Sequence, residues 1–160
     1  IESVISPPPT RQQMLAAVQS DVQQFAAYVR QIVGEPQNTP FNLYDAGAHY
    51  LRIGRLQESL DLMDRVIALD NNFADAYNTK GVIYTKMGQY DRSNFDQALD
   101  MFNQGLVLEP SNAGIRLNLA IVYILRGGDG DQGRALQEYN QAQQLDPNLQ
   151  DALRGIIDEP

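Results

Sequence analysis

A pattern that recurs three times between residues 40 and 149 constrains the fold of this 160-residue chain most strongly. The segments 40–73, 74–112 and 113–149 align in register. Each carries, in the same order, a small residue, a tyrosine and then a glycine: Gly47, Tyr50 and Gly54; Gly81, Tyr84 and Gly88; Ala120, Tyr123 and Gly127. A period of 34 to 39 residues is typical of stacked helical units, none of which can bury its apolar stripe alone.

The residues that flank these segments predict where helices begin and end. The three glycines stand where a first helix must stop and the chain must turn. Pro110 and Pro147 end the second helices of their units, because proline disfavours a helical residue before it. Thr39 followed by Pro40 predicts a capped helix start, and we expect Ser111 to cap the third unit in the same way.

This pattern resembles the tetratricopeptide repeat (TPR) family, whose unit is a 34-residue helix–turn–helix. The resemblance covers residues 40–149, about two thirds of the chain. It implies an all-α, right-handed α-α superhelix of three helix hairpins, which would follow an N-terminal amphipathic helix and precede a short C-terminal capping helix. It also implies a non-catalytic protein–protein interaction module, an adaptor or assembly factor that binds a peptide or helix of a partner in its concave groove.

The same resemblance assigns groove positions, because positions 2, 5, 9 and 12 of each TPR unit line the concave face. Here they are Phe41, Tyr44, Ala48 and Leu51; Asp75, Asn78, Val82 and Thr85; and Gly114, Leu117, Ile121 and Ile124. This set is mainly apolar. Family members that clamp a carboxylate use Lys, Arg and Asn in the groove, and only Asn78 matches that chemistry. We therefore expect an apolar or amphipathic segment of a partner protein as the ligand.

The first helix of the third unit carries seven apolar residues in a row, from Leu119 to Leu125. A helix that is apolar all round is expected to be buried on every side. Stacking covers part of it, and the remainder needs a cover from this chain or from a ligand.

Residues 10–34 predict an amphipathic helix that starts with a capping box, Thr10 with Gln13, and stops at Gly34. Its apolar residues recur at spacings of three and four: Met14, Val18, Val22, Phe25, Val29 and Val33. This stripe must pack on the first repeat, lie in the groove or meet another chain. The alternative function is therefore a self-associating scaffold, assembled through Val18, Val22, Phe25 and Val29 or through the solenoid ends.

The two ends of the chain carry further expectations. Residues 1–9 read as an extended, proline-rich tether. Residues 150–160 read as a capping helix and tail, in which Leu153, Ile156 and Ile157 would cover the last repeat. The start at Ile1 fits either a domain edge or a domain separated from a signal peptide or a membrane tether upstream. The compartment stays open between the cytoplasm and a periplasmic or membrane-anchored location.

Composition argues against several other classes. Twelve cations are scattered among twenty acids, for a net charge of −8, so we expect no nucleic-acid partner. The chain has no cysteine, and His49 is its only histidine, without an acid–base partner implied by spacing. We expect neither an enzyme nor a cofactor nor a metal, and we interpret Asp129 and Asp131 as part of a turn.

The second and third units are longer than the first because they carry inserts between their paired helices. The inserts lie at residues 89–93 and within residues 128–133. Both should enlarge loops on the same edge of the solenoid. They are either tolerated loop growth or a widened contact edge.

Overall fold

The computed structural model describes residues 38–149 and, nearer the N-terminus, residues 10–12, 14, 16, 19 and 20. The chain divides into two units, Ile1–Gln37 and Asn38–Pro160. In the first unit, the described residues after Thr10 are helical, and the Met14 N–H donates to the Thr10 carbonyl at 2.9 Å. The predicted tether over residues 1–9, most of the predicted helix over residues 10–34 and the predicted cap over residues 150–160 lie outside the described residues.

Six α-helices and one short 3₁₀ turn make up residues 38–149. The helices are α1 (Pro40–Arg52), α2 (Leu56–Leu69), α3 (Ala74–Gly88), α4 (Asn94–Leu108), α5 (Ala113–Arg126) and α6 (Asp131–Leu145), and the 3₁₀ turn is Pro147–Leu149. They pair as α1 with α2, α3 with α4 and α5 with α6, and each second helix also contacts the first helix of the following pair. The predicted all-α repeat solenoid is therefore confirmed.

The helix ends follow local capping chemistry. Thr39 accepts a hydrogen bond from the Asn42 N–H at 3.2 Å, as its place before Pro40 predicts. The cap of α5 is Asn112, whose side chain accepts from the Ile115 N–H at 3.0 Å. The prediction of Ser111 at this place is wrong by one residue, because the helix starts one position later than that cap requires. Gly127 ends α5 at φ 59°, a left-handed conformation that favours glycine.

Two large apolar clusters hold the pairs together. One joins the first pair to α3, and it consists of Leu43, Leu60, Met63, Val66, Ala76 and Ile83. The other joins the second pair to α5, and it consists of Phe95, Ala98, Leu99, Phe102, Ile115, Leu119 and Val122. Each cluster thus crosses a boundary between units, so the units are stabilised by stacking.

Small residues let the paired helices approach closely. A Cβ on Gly81 would lie 2.4 Å from the Phe102 ring, and one on Gly47 would lie 2.2 Å from the end of the Met63 side chain. Ser59 is fully buried and donates a hydrogen bond to the Gly47 carbonyl at 2.8 Å. The Phe102 ring thus requires glycine at 81, whereas a Cβ at 47 would displace the flexible end of Met63.

The turn of the third pair is built around a buried carboxylate. Asp131 is 1% exposed, and the Arg126 guanidinium donates to both of its oxygens at 2.7 and 2.8 Å. The Gly128 N–H and Arg134 also donate to it, at 2.8 and 2.9 Å. The hydrogen bonds from Arg126 hold the pKa of Asp131 well below its ordinary value. The segment around Asp131 is therefore a turn closed by an ion pair.

The two enlarged loops lie on the same edge, as the inserts predict. Arg92, in the loop of the second pair, donates to the carbonyl of Arg126 at the end of α5. Arg126 also reaches Asp96 on α4, with 2.6 Å between its Nη1 and Oδ1. Arginine side chains therefore link the loop edges of the second and third units.

Stacking buries only part of the apolar run of α5, and the rest of the run is partly exposed among the described residues. Leu119, Ala120 and Val122 are buried, but Ile121 and Ile124 are half-buried and Leu125 is 40% exposed. Leu119 and Val122 pack against α4, and Ile121 and Ile124 pack in part on the buried cluster that Ala120 forms with α6. The helix is thus apolar on a face that stacking leaves open.

Candidate protein-binding groove

The three first helices lie side by side, since α1 contacts α3 and α3 contacts α5. The structure places the predicted groove residues on these three helices, and none of them is fully buried. Phe41 is 64% exposed. The rest of the predicted set is half-buried: Tyr44, Ala48, Leu51, Asn78, Val82, Thr85, Leu117, Ile121 and Ile124. The other two family positions, Asp75 and Gly114, are exposed.

Several of these residues also support the fold. The Tyr44 and Phe73 rings lie 5.2 Å apart between centroids. Leu117, Ile121 and Ile124 pack around a small buried cluster that includes Tyr139 of α6. The apolar part of the predicted groove therefore rests on the core, and its exposed edges form the surface that a ligand could meet.

Polar groups on the same helices have partners within the chain. The Asn78 amide oxygen accepts from the Asn118 side chain at 2.9 Å, so an amide pair joins α3 to α5. The Thr85 hydroxyl donates to the Gly81 carbonyl of its own helix at 2.7 Å. Asn118 is not among the groove positions that the resemblance gives, and its type alone does not identify it.

One cation of α3, Lys80, also has a partner within the chain. Lys80 pairs with Asp64 of α2, with 2.5 Å between Nζ and Oδ1, and its side chain is 13% exposed. All ten residues predicted for the groove are uncharged, so none of them supplies a positive charge for a ligand. The arrangement suits an uncharged or apolar ligand surface better than a terminal carboxylate, which needs positive charge.

The two ends of the stack differ in polarity. At the third, sixth and tenth positions of the first helices, α1 carries Asn42, Asp45 and His49, all of them exposed. The same positions of α3 are Ala76, Thr79 and Ile83, which are buried against the preceding pair. The outer face of α1 is therefore polar where later helices are apolar.

The second helices show the reverse at the other end. Leu60 and Leu99 are 9% and 8% exposed, because α3 and α5 cover them. The residue at the same position of α6 is Leu136, which is 46% exposed. Sequence reasoning missed this contrast because it treats equivalent leucines alike.

The residues predicted for self-association, Val18, Val22, Phe25 and Val29, lie outside the described residues. Met14, from the same predicted stripe, is 50% exposed. Among the residues that the structure describes, no group of three or more His, Asp or Glu side chains is placed to hold a metal ion. Over the same residues, no helix combines the length and hydropathy that crossing a membrane requires.

A family model described as tetratricopeptide repeat matches residues 62–93, from the middle of α2 into the loop before α4. The chain is 29% identical over 114 residues to the Hsp70-Hsp90 organizing protein of Triticum aestivum, a match that covers 69% of the chain. It is 30% identical over 111 residues to Hsp70-Hsp90 organizing protein 3 of Arabidopsis thaliana, covering 66% of the chain. In each case the matched part is 19% of the relative's own length.

Solved structures share the fold. The crystal structure of MamA superposes with a TM-score of 0.59 at 22% identity, covering 73% of this chain and 63% of that one. The MamA RS-1 ArsTM double mutant gives 0.58 at 22% identity, covering 81% and 66%. The repeated helix pairs, the family model over residues 62–93 and the relatives agree in identifying tetratricopeptide-type repeats in this chain.

Proposed function

We propose that this chain is a non-catalytic interaction module whose concave groove binds an apolar or amphipathic segment of a partner protein. TPR proteins generally mediate protein–protein interactions. The observation that carries the finer proposal is the composition of the exposed first-helix surface. It offers apolar side chains on all three helices, while Asn78 and Thr85 already have hydrogen-bond partners within the chain.

Phe41 provides the largest exposed apolar contact of the predicted set. It is 64% exposed at the start of α1, and it belongs to neither large core cluster. Aromatic side chains are enriched at protein interfaces because they bury much area at low entropic cost. We therefore propose Phe41 as one anchor of the groove, with Leu117 and Ile121 as the other.

The names of the relatives suggest one class of partner, the chaperones Hsp70 and Hsp90. Those proteins are named as organizers of Hsp70 and Hsp90, and this chain spans about a fifth of their length. Charge complementarity supports a different ligand here, because Lys80 is already paired with Asp64 and the ten groove residues are uncharged. The proposed ligand is an apolar helix or extended peptide, which such a groove can accept along its length.

The test is differential capture from a lysate of the source organism, with the whole chain as bait. Leu117→Asp with Ile121→Asp places two charges in the groove. We expect the captured amount of each groove ligand to fall at least tenfold relative to the parent chain. Because those residues also pack on Tyr139, the single variant Phe41→Asp is measured beside the double variant. Helical content by circular dichroism must match the parent chain in both.

The matched control is Val107→Asp, at an apolar residue that is 80% exposed on α4, outside the groove. Proteins that are lost with both groove variants and retained with the control are ligands of the groove. If folded groove variants capture the same proteins in the same amounts as the control, the groove is not the binding surface.

The second candidate is self-association through the N-terminal stripe or a solenoid end. The exposed Met14 and the exposed Leu136 support it. Mass measured by light scattering over a hundredfold concentration range tests it, since an assembling chain gains mass with concentration. Val22→Asp with Phe25→Asp should abolish that gain if the stripe mediates it, and a chain that stays monomeric throughout contradicts this candidate.

A further inference from the structure

The stripe of groove residues on each first helix continues for one more turn toward the bend of its hairpin. Side chains four residues apart on a helix lie on the same face. The residues that follow Ala48, Val82 and Ile121 at this spacing are Arg52 on α1, Lys86 on α3 and Leu125 on α5. All three are exposed. On the side of the hairpin bends, the groove is therefore bordered by two cations and one leucine.

The two cations at this border have no carboxylate partner among the described residues. The guanidinium of Arg52 meets the ring of His49, with 3.2 Å between Nη2 and Nδ1. Neither Arg52 nor Lys86 takes part in a salt bridge of the described chain. Arg126 at the end of α5 differs, because the buried Asp131 already accepts its hydrogen bonds. Positive charge is thus available to a ligand beside α1 and α3.

The opposite border lies at the first turns of the same helices and carries negative charge. Its residues are Phe41, Asp75 and Gly114, one from each helix, and all three are exposed. Asp75 forms no salt bridge with any described residue. It lies about 16 Å from Lys86 along the axis of α3. The middle helix of the groove thus carries an acid at one border and a base at the other.

The most exposed apolar residues of the groove lie diagonally between these charges. Phe41 is 64% exposed in the first turn of α1, and Leu125 is 40% exposed in the last turn of α5. With neighbouring helices roughly 8–10 Å apart, a path from one residue to the other is roughly 25 Å long. Arg52 and Lys86 lie on one side of this path, and Asp75 lies on the other. An apolar ligand on this path would therefore have cations along one flank only.

We infer that the groove takes an amphipathic helix along this diagonal, with its apolar face on the groove and acidic side chains on the flank toward Arg52 and Lys86. The inference rests on the proposed function and adds the charge pattern of the ligand. A path of this length matches roughly 16 helical residues. A helix offers an apolar face and a charged flank together. An extended strand fits less well, because its side chains point to two opposite faces.

The same charges set the direction in which the ligand helix binds. With its acidic flank toward Arg52 and Lys86, the helix runs one way only between α1 and α5. Reversing it while its apolar face stays on the groove would bring the acidic flank to Asp75, where like charges repel. The two borders therefore select both the charge pattern of the ligand and its orientation.

A displayed peptide library tests this on the full chain. The peptides are about 16 residues long, keep leucine along one face and carry Glu, Gln or Lys at random on both flanks. Their C-termini are fused to the phage, so that no terminal carboxylate is offered. We expect selection on the parent chain to enrich Glu on one flank by about threefold or more. With Arg52→Glu and Lys86→Glu together, Lys should replace Glu on that flank. Selected peptides with no preference on either flank would overturn the inference.

Affinity measurements on one selected peptide locate the charge effect. A synthetic, amidated copy with Glu on the enriched flank should bind the parent chain about three- to tenfold more tightly than a copy with Gln there, as measured by fluorescence anisotropy. Lys86→Glu should abolish this gap. The matched control is Arg65→Glu, at an exposed cation of α2 outside the groove, and it should leave the gap unchanged. Equal gaps in the two variants would contradict a role for the border of the groove.

The Gln copy separates this inference from the proposed function. Its binding depends on the apolar groove alone, so Leu117→Asp with Ile121→Asp should weaken it by about tenfold or more. If that double variant binds the Gln copy as the parent chain does, or if the library yields no binder, the proposed function itself fails. If the double variant loses the Gln copy while the parent chain binds both copies equally, only the charge pattern inferred for the ligand is wrong.

Discussion

The first and last described helices of the stack differ in the polarity of their outward-facing side chains. At the N-terminal end, Asn42, Asp45 and His49 face outward at positions that bury Ala76, Thr79 and Ile83 in the next unit. At the C-terminal end, Leu136 keeps the residue type of the buried Leu60 and Leu99 and is left 46% exposed. A repeat array needs a polar outer face wherever stacking stops. The first unit therefore has the surface of an end, and the third has the surface of an interior unit.

The strongest test of this difference places the same charge at equivalent positions of two first helices. Ile83→Asp buries a carboxylate in an apolar cluster and should lower the free energy of unfolding by more than about 4 kcal/mol. His49→Asp lies on the exposed face of α1 and should change it by less than about 0.5 kcal/mol. Urea unfolding of both variants measures the difference. Comparable losses would mean that the outer face of α1 is covered.

A second prediction concerns the buried ion pair that closes the turn of the third unit. Asp131→Asn removes one partner of the buried pair with Arg126 and should lower the free energy of unfolding by about 2 kcal/mol at pH 7. The folded pKa of Asp131 lies below its ordinary value of 3.8, so its contribution is present above that pH and is lost as the pH falls below it.

Urea unfolding of the parent chain and of Asp131→Asn at pH 7 and at pH 3 checks both the size and the sign. The gap between the two proteins should narrow at the lower pH. Gln132→Ala, at an exposed neighbour, is the control and should be close to neutral. A gap that is the same at both pH values would show that the carboxylate charge is not the stabilising feature.

The smallest effect distinguishes tight from open packing in the two later units. Gly81→Ala forces a Cβ against the Phe102 ring and should cost about 1–3 kcal/mol. Gly133→Ala meets no atom within 4 Å in the first turn of α6, and it should stabilise by about 0.5–1 kcal/mol through helix propensity. Thermal unfolding by calorimetry measures both shifts. A loss of stability with Gly133→Ala would mean that this side of α6 is packed.

The repeat pattern predicts the paired helices because its signals are local and redundant. Small residues at 47 and 81 report close helix contact, and the structure places Met63 and Phe102 against them. Thr39 indicates a helix start because its hydroxyl accepts a hydrogen bond from the Asn42 N–H. Such features depend on neighbours within one hairpin, which the order of residues already fixes.

Burial and exposure that depend on the three-dimensional arrangement of turns and neighbouring helices cannot be predicted in the same way. Asp131 lies in a glycine-rich segment that reads as an exposed loop, and its burial follows only once the turn brings Arg126 and Arg134 beside it. The exposure of Leu125 and Leu136 depends on which neighbouring helix is present, and residue type does not encode that. The groove set stays a prediction for the same reason, since its exposure fits a binding surface and the ligand is not part of the chain.

The arginine link between the enlarged loops makes part of the stack sensitive to salt. Arg92 bonds the carbonyl of Arg126, and Arg126 in turn bonds Asp96, so the second and third hairpins are tied along their outer edge. The arginine at the first hairpin's bend, Arg55, bonds Glu58 of its own hairpin. The first and second hairpins are joined elsewhere, by their shared apolar cluster and by the pair of Lys80 with Asp64, so salt should weaken the polar links at both boundaries while the apolar ones persist.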